Sequence, residues 1–261
     1  MIKEVIITEP ITSEEEPDGS IIPVIDPYFG CSIGCPYCFR TSEEGWKNNI
    51  IVNTNIAELL DERLKSWPKE EAIYLGSMCD PYISIEKEYG LTRKCLEVLN
   101  KYQIPTFITT KSDNDLIIRD VDLLKNFCAK LIVLIGISNI RQLKNEYHGG
   151  KNHNIETANK LNRRGITVWS FITPILPYIV PVEQMINQFD EDIPVWLDLL
   201  RIKKDSIQAK QIKKFIAGEY PQLIEKYNKI IDDGNLEYYY ELKDKYKDNK
   251  RIKFLPYKED S

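Results

Sequence analysis

Three of the chain's six cysteines fall within eight residues, as Cys31-x-x-x-Cys35-x-x-Cys38. Such clustering points to metal chemistry. Thiolates hold iron–sulfur clusters, normally four to a cluster, and three would leave one iron open to an outside ligand. Zinc is the competing reading. A structural zinc site closes with four ligands, and the fourth would have to come from far away, for example from His148 or His153, the only histidines in the 261 residues. Both lie in the polar stretch His148-Gly-Gly-Lys-Asn-His153, which reads as a flexible connection or as a loop able to close over a substrate.

The elements that must position these cysteines follow from the patterning. Ile22 to Phe29 is largely apolar and leads into the cysteine loop. Short β-rich runs follow at Ala72–Leu75, Thr106–Thr110, Leu131–Ile137, Thr167–Thr173 and Val195–Leu199. They show little alternation, as expected of strands buried on both faces of a parallel sheet. Helical stripes lie between them. Ile56, Leu59, Leu60 and Leu64 follow Thr54 or Asn55 as N-cap; Cys95, Val98 and Leu99 follow Thr92; Val121, Leu124 and Cys128 follow Asp120. Ala158 and Leu161 precede Gly165, and Val182, Met185, Ile186 and Phe189 form a further stripe. Cys95 and Cys128 are expected to be buried core thiols. Strand and helix alternating about six times predict an α/β fold, a partial (β/α)6 TIM-like barrel of parallel strands. Residues 1–200 form that barrel, and 201–261 form a helical C-terminal extension packed on the same domain, with breaks at Gly218 and Pro221.

The cysteine spacing, with Tyr37 before Cys38 and a βα context, resembles the radical S-adenosylmethionine superfamily. The stretch Asp26-Pro-Tyr-Phe-Gly-Cys31-Ser-Ile-Gly-Cys35-Pro-Tyr-Cys38 is similar to the spore photoproduct lyase-like branch. So are Gly76-Ser-Met-Cys-Asp80-Pro-Tyr, Ile108-Thr-Thr-Lys111-Ser112, Gly136-Ile-Ser138 and Pro174-Ile-Leu-Pro177. The likeness runs from about residue 22 to 190. It implies a [4Fe–4S] cluster on Cys31, Cys35 and Cys38, whose open iron binds the amino and carboxylate groups of S-adenosylmethionine. One electron, from a donor such as flavodoxin or ferredoxin, then cleaves the sulfonium bond, and the 5′-deoxyadenosyl radical abstracts a hydrogen atom from the substrate. The cofactor carries the hard chemistry.

The resemblance also implies cofactor contacts. Ser77 and Asp80 fall where relatives meet the amino group, and Lys111 where they meet the carboxylate. Ser138 falls near the ribose or carboxylate, and Tyr37 and Phe39 near the adenine. Relatives return a hydrogen atom from a cysteine near the second strand's end. Counted back from Asp80 that position is Ser77, and Cys79 lies two residues on, as a displaced catalytic candidate. This departure counts against thymine-dimer repair.

The net charge of −5 weakens, without excluding, nucleic-acid binding, since Lys and Arg supply non-specific affinity for DNA. A lysine-bearing face at Lys203, Lys204, Lys210, Lys213 and Lys214 could still track phosphates. The longest apolar run, Ile166 to Val182, is interrupted by Pro174, Pro177 and Pro181 and reads as a strand and turn, not a membrane span. The expectation is a cytoplasmic enzyme acting on a peptide or protein. The alternatives are a nucleic-acid lesion repair lyase and a non-catalytic zinc-stabilised binding protein.

Overall fold

The computed structural model describes residues 1–16, 18–35, 37–38, 40, 45–46, 48–137 and 152–256. Its strands are β1 (Ile2–Val5), β2 (Thr12–Glu15), β3 (Ile21–Ile25), β4 (Tyr28–Phe29), β5 (Ile50–Asn53), β6 (Ile73–Leu75), β7 (Thr106–Thr110), β8 (Leu131–Gly136), β9 (Val168–Ile172), β10 (Val195–Leu197) and β11 (Ile252–Phe254). The main sheet has the order β11-β10-β9-β8-β7-β6-β3-β2. Every neighbour pair in it is parallel except the β2–β3 hairpin. From β3 to β10 the strands of this sheet succeed one another in sequence and in space, as the expected six-unit βα repeat requires. β2 and β11 stand at opposite ends of the order and do not pair, so the barrel is open there.

All six residues of β8, a central strand of that run, are buried, as a strand covered on both faces should be. The others alternate. In β7, Thr106, Ile108 and Thr110 are buried against the helices, while Phe107 and Thr109 are half-buried and face the lumen. β9 repeats this with Trp169 and Phe171 inside. The alternation is hidden in the sequence because the lumen residues are themselves aromatic or Thr.

The helices form where their apolar stripes meet the sheet. Leu91, Cys95, Leu96 and Leu99 bury one face of the helix Leu91–Lys101. Asn152 caps His153–Asn162, its side chain accepting from the N–H groups of Asn154 and Ile155 at 3.0 and 3.2 Å. Two expected side-chain caps are used otherwise. Asn55 clamps the N-terminal strand instead, bonding the N–H and C=O of Ile7 at 2.9 Å each. The Asp120 carboxylate takes Arg119 and Arg93, since charged donors outcompete a helix amide.

Cys128 departs from expectation. The helix Val121–Lys125 ends before it, and it is exposed, whereas Cys95 is fully buried. The C-terminal part is helical over Ile207–Glu219, Ile224–Asp232 and Glu237–Tyr246, then adds β11 beside β10, a strand the charged tail conceals. A small second sheet, β1-β5-β4, also unforeseen, braces the cysteine loop: β4 enters it, and β5 comes after it. Among the described residues no helix is long and apolar enough to cross a membrane.

Candidate functional site

Cys31, Cys35 and Cys38 line one wall of a cavity of about 390 Å³. The same cavity is lined by the chain just beyond the ends of β6, β7, β9 and β10, including Ser77, Asp80, Lys111 and Thr173. This is the C-terminal end of the parallel strands, where barrels place their active sites. The Cys31 amide donates to the Trp46 carbonyl at 3.0 Å, and the Cys38 amide closes a turn on the Cys35 carbonyl at 3.2 Å.

Among the described residues no group of three His, Cys, Asp or Glu converges to hold a metal ion. The three thiols share a cavity wall without meeting at one point. Their chemistry fits a cationic iron–sulfur group. Burial, then the Asp80 charge, then Cys35 and Cys38 push the Cys31 thiol up to about 12. Thiolates crowded in this way need a positive centre to form, and metal binding supplies one. His153, the described member of the histidine pair, is elsewhere: it begins a helix with its Nε2 3.5 Å from Asp115. His148, Phe39 and Ser138 lie outside the described residues.

The strand-end side chains are held tightly. The Asp80 carboxylate accepts from the Lys111 amide at 2.6 Å, Thr110 Oγ1 at 2.9 Å, Ser112 Oγ at 2.9 Å and the Tyr82 amide at 2.9 Å. It therefore staples the loop after β6 to the end of β7, in addition to lining the cavity. Lys111 Nζ donates to the Thr173 carbonyl at 2.6 Å and lies 5.0 Å from the centre of the Tyr37 ring. Its stem crosses Gly136, where a Cβ would sit 2.4 Å from Lys111 Cγ. Gly136→Ala is expected to displace Lys111 and to weaken by roughly tenfold, about 1.4 kcal/mol, the S-adenosylmethionine binding that the resemblance implies; equilibrium dialysis against labelled cofactor checks it. Gly76, at φ +81, likewise has room only for hydrogen, since a Cβ would meet Pro81 at 2.3 Å.

Ser77 Oγ donates to Glu14 at 2.6 Å, a partner on β2 that nothing in the sequence singled out. Cys79 is buried beside the cavity rather than on its wall, its thiol 3.1 Å from the Gly30 carbonyl and its amide 2.9 Å from Asp26 Oδ1. Arg40 is a further cavity residue that sequence reasoning missed. It reaches Met78 Sδ at 3.1 Å and lies 5.5 Å from the ring centres of both Phe29 and Trp46. Its nearness to the Cys31–Cys38 loop was the one available signal.

Asp26 underlies the loop after β6, its Oδ1 accepting from the Met78 amide at 3.2 Å as well as from Cys79. Burial, against the pull of those amides, pushes its carboxyl up to about 7. An unfolded Asp titrates near ~3.9. The unfolded chain thus loses this proton at lower pH than the folded chain, and stability falls as pH rises between the two values. Asp26→Asn keeps the acceptor oxygen and removes the penalty. The variant is expected to match wild type near pH ~4 and to melt at higher temperature near pH ~8; thermal melts across that range check it.

No protein-family model matches the chain. An uncharacterized protein of Methanocaldococcus jannaschii is 29 % identical over 213 residues, covering 77 % of this chain and 78 % of the relative. Spore photoproduct lyase complexed with dinucleoside spore photoproduct superposes with a TM-score of 0.57 at 17 % identity, over 84 % of this chain and 66 % of that one. A double mutant of the same lyase with bound AdoMet and the dinucleoside gives 0.58 at 13 % identity, over 98 % and 81 %. Streptococcus suis SuiB bound to its precursor peptide SuiA gives 0.50 at 16 % identity, over 89 % and 48 %. The chain spans about two thirds of the length of the first of these structures. The architecture is the partial parallel barrel that the resemblance implies. More particularly, it is the fold of spore photoproduct lyase.

Proposed function

We propose that this chain is a radical S-adenosylmethionine enzyme, similar to the spore photoproduct lyase-like branch, acting in the cytoplasm on a peptide or protein. The observation that carries this is the single cavity joining Cys31, Cys35 and Cys38 to the strand-end residues Ser77, Asp80 and Lys111. Bound there, a [4Fe–4S] cluster with S-adenosylmethionine would supply hydrogen-atom abstraction, with the electron from flavodoxin or ferredoxin.

The chain's own residues then have distinct tasks. Cys31, Cys35 and Cys38 give up their protons and bind. Lys111 offers a compact positive charge to a carboxylate. Ser77 and Asp80 present oxygen acceptors to an ammonium group. Tyr37, with Phe39 and Ser138 by resemblance, flanks the adenosine. Residues 201–261 act with the barrel as one domain, β11 extending its sheet beside β10. Cys79 remains the candidate hydrogen donor. Cys79→Ala is expected to retain cofactor cleavage, and a donor role would appear as lost product with cleavage intact. Ser77 at the usual donor position favours a substrate other than a thymine dimer.

Anaerobic reconstitution with iron and sulfide tests the reading. The expected result is equal amounts of bound iron and sulfide with broad visible absorbance. Retained zinc with no iron would overturn it in favour of a structural metal site.

A further inference from the structure

The lumen of the open barrel is lined by a ladder of aromatic rings. Tyr74 of β6 stacks on Phe107 of β7, with centroids 4.6 Å apart and planes 11° apart. Phe107 lies 6.2 Å from Trp169 of β9, and Trp169 lies 5.5 Å from Trp196 of β10. Trp196 in turn stacks on Phe171 at 5.9 Å and 9°. All five side chains are half-buried and line a second cavity of about 400 Å³. That volume lies in the range of small-ligand sites.

This cavity reaches both unpaired edges of the sheet. Glu16, Asp18 and Ser20 of the β2–β3 turn stand on one side, and Leu255 and Pro256, after β11, on the other. This rim is anionic. The Glu16 carboxylate is half-buried and has no hydrogen-bond or ion-pair partner among the described residues. Burial, together with the charges of Glu14 and Asp18, pushes its carboxyl up, and burial with the charges of Glu16 and Asp18 does the same to the Tyr74 phenol. Lys111 is the sole Lys or Arg on the wall among the described residues, and its ammonium is held by the Thr173 carbonyl.

We propose that this cavity binds an organic cation, its flat or slender carrier held against the aromatic ladder and its positive charge turned toward Glu16. Ring faces carry negative potential and attract cations, most strongly where water is excluded. An unpaired carboxylate at the end of such a ladder adds to that attraction. The same rim repels a phosphodiester, whose affinity would need Lys and Arg. Ser77, Thr109, Lys111, Thr173 and Leu255 line both cavities, so an occupant lies against the cysteine cavity. Only its chemical fate there rests on the function proposed above; the binding does not.

The test is isothermal titration calorimetry on the full chain, purified without cluster or cofactor. The probes are the cation 1-methylquinolinium, neutral quinoline and the anion 1-naphthoate, in mildly alkaline buffer. The cation is expected to bind about tenfold or more tighter than either of the others, a gap of ~1.4 kcal/mol. Glu16→Gln, on a surface turn, should erase most of that preference and leave quinoline affinity unchanged. Trp196→Leu, checked by thermal melting for a folded protein, should weaken all three. Absent binding, equal affinity for the three probes, or a cation preference untouched by Glu16→Gln would overturn the proposal. Because no cluster is present, such a failure leaves the reading of the cysteine cavity standing, and failed cluster assembly leaves this one.

Discussion

Single replacement of Cys31, Cys35 or Cys38 by alanine is expected to abolish cluster assembly and S-adenosylmethionine cleavage. Each thiol sits on the same wall of the same cavity, and no fourth cysteine lines it. Cys79, the other cysteine nearby, keeps its thiol on the Gly30 carbonyl and is not placed to substitute. Loss of a residue that merely orients a metal ligand typically costs about 10–100-fold, so loss of a ligand itself should exceed about 100-fold in cleavage rate. The protein should still fold, because the three cysteines lie on a half-buried loop outside the main sheet. Iron content, visible absorbance and melting temperature of each variant check this. A triple variant with normal iron–sulfur absorbance would contradict the ligand assignment.

Arg119→Ala is expected to be the most damaging change away from the cavity. Glu86 and Asp120 are both 0 % exposed. Arg119 donates to Glu86 at 2.6 Å and to the two oxygens of Asp120 at 2.8 and 2.9 Å. Asp120 keeps Arg93 at 3.1 Å when Arg119 is removed. Glu86 keeps only uncharged donors, the Tyr28 hydroxyl at 2.5 Å and amides such as that of Thr92 at 2.9 Å. Breaking a buried ion pair from one side costs about 3–5 kcal/mol, because the partner charge stays buried. For a chain of this size that corresponds to a fall of roughly 10 °C in melting temperature. The loop carrying Asp80 should loosen with it, since Thr92 Oγ1 donates to the Pro81 carbonyl at 2.5 Å and Tyr82 bonds to Asp120 at 3.3 Å. Arg119→Lys keeps the charge and should lose less. A fall of less than about 2 °C for Arg119→Ala would mean that Glu86 is adequately compensated by its neutral donors.

The parts of this molecule legible in its sequence are those with a local signal. The runs at 106–110 and 131–137 became β7 and β8 because nothing else uses so many β-branched and apolar residues at that length. The helix Leu91–Lys101 showed its buried stripe in Cys95 and Leu99. The cysteine loop carried its own spacing. The features that escaped depend on partners distant in sequence. β11 has one buried residue, Ile252, and is a strand only because β10 offers it an edge. Glu14 matters because β2 pairs with β3, the strand beside β6, and Ser77 finds it across 63 residues. Glu86 and Arg119 read as ordinary surface charges until the fold brings them together. The aromatic ladder is spread from Tyr74 to Trp196, one or two rings per strand, and each ring alone looks like core. Cys128 was misplaced because the stripe of Val121 and Leu124 continues one turn past the end of its helix.

The most direct test of the central claim is to reduce the anaerobically reconstituted full chain with dithionite in the presence of S-adenosylmethionine and assay for 5′-deoxyadenosine and methionine. The account predicts both products in wild type and neither in Cys31→Ala, Cys35→Ala or Cys38→Ala. A protein that retains zinc and no iron, or a wild-type rate no greater than that of the cysteine variants, would contradict it.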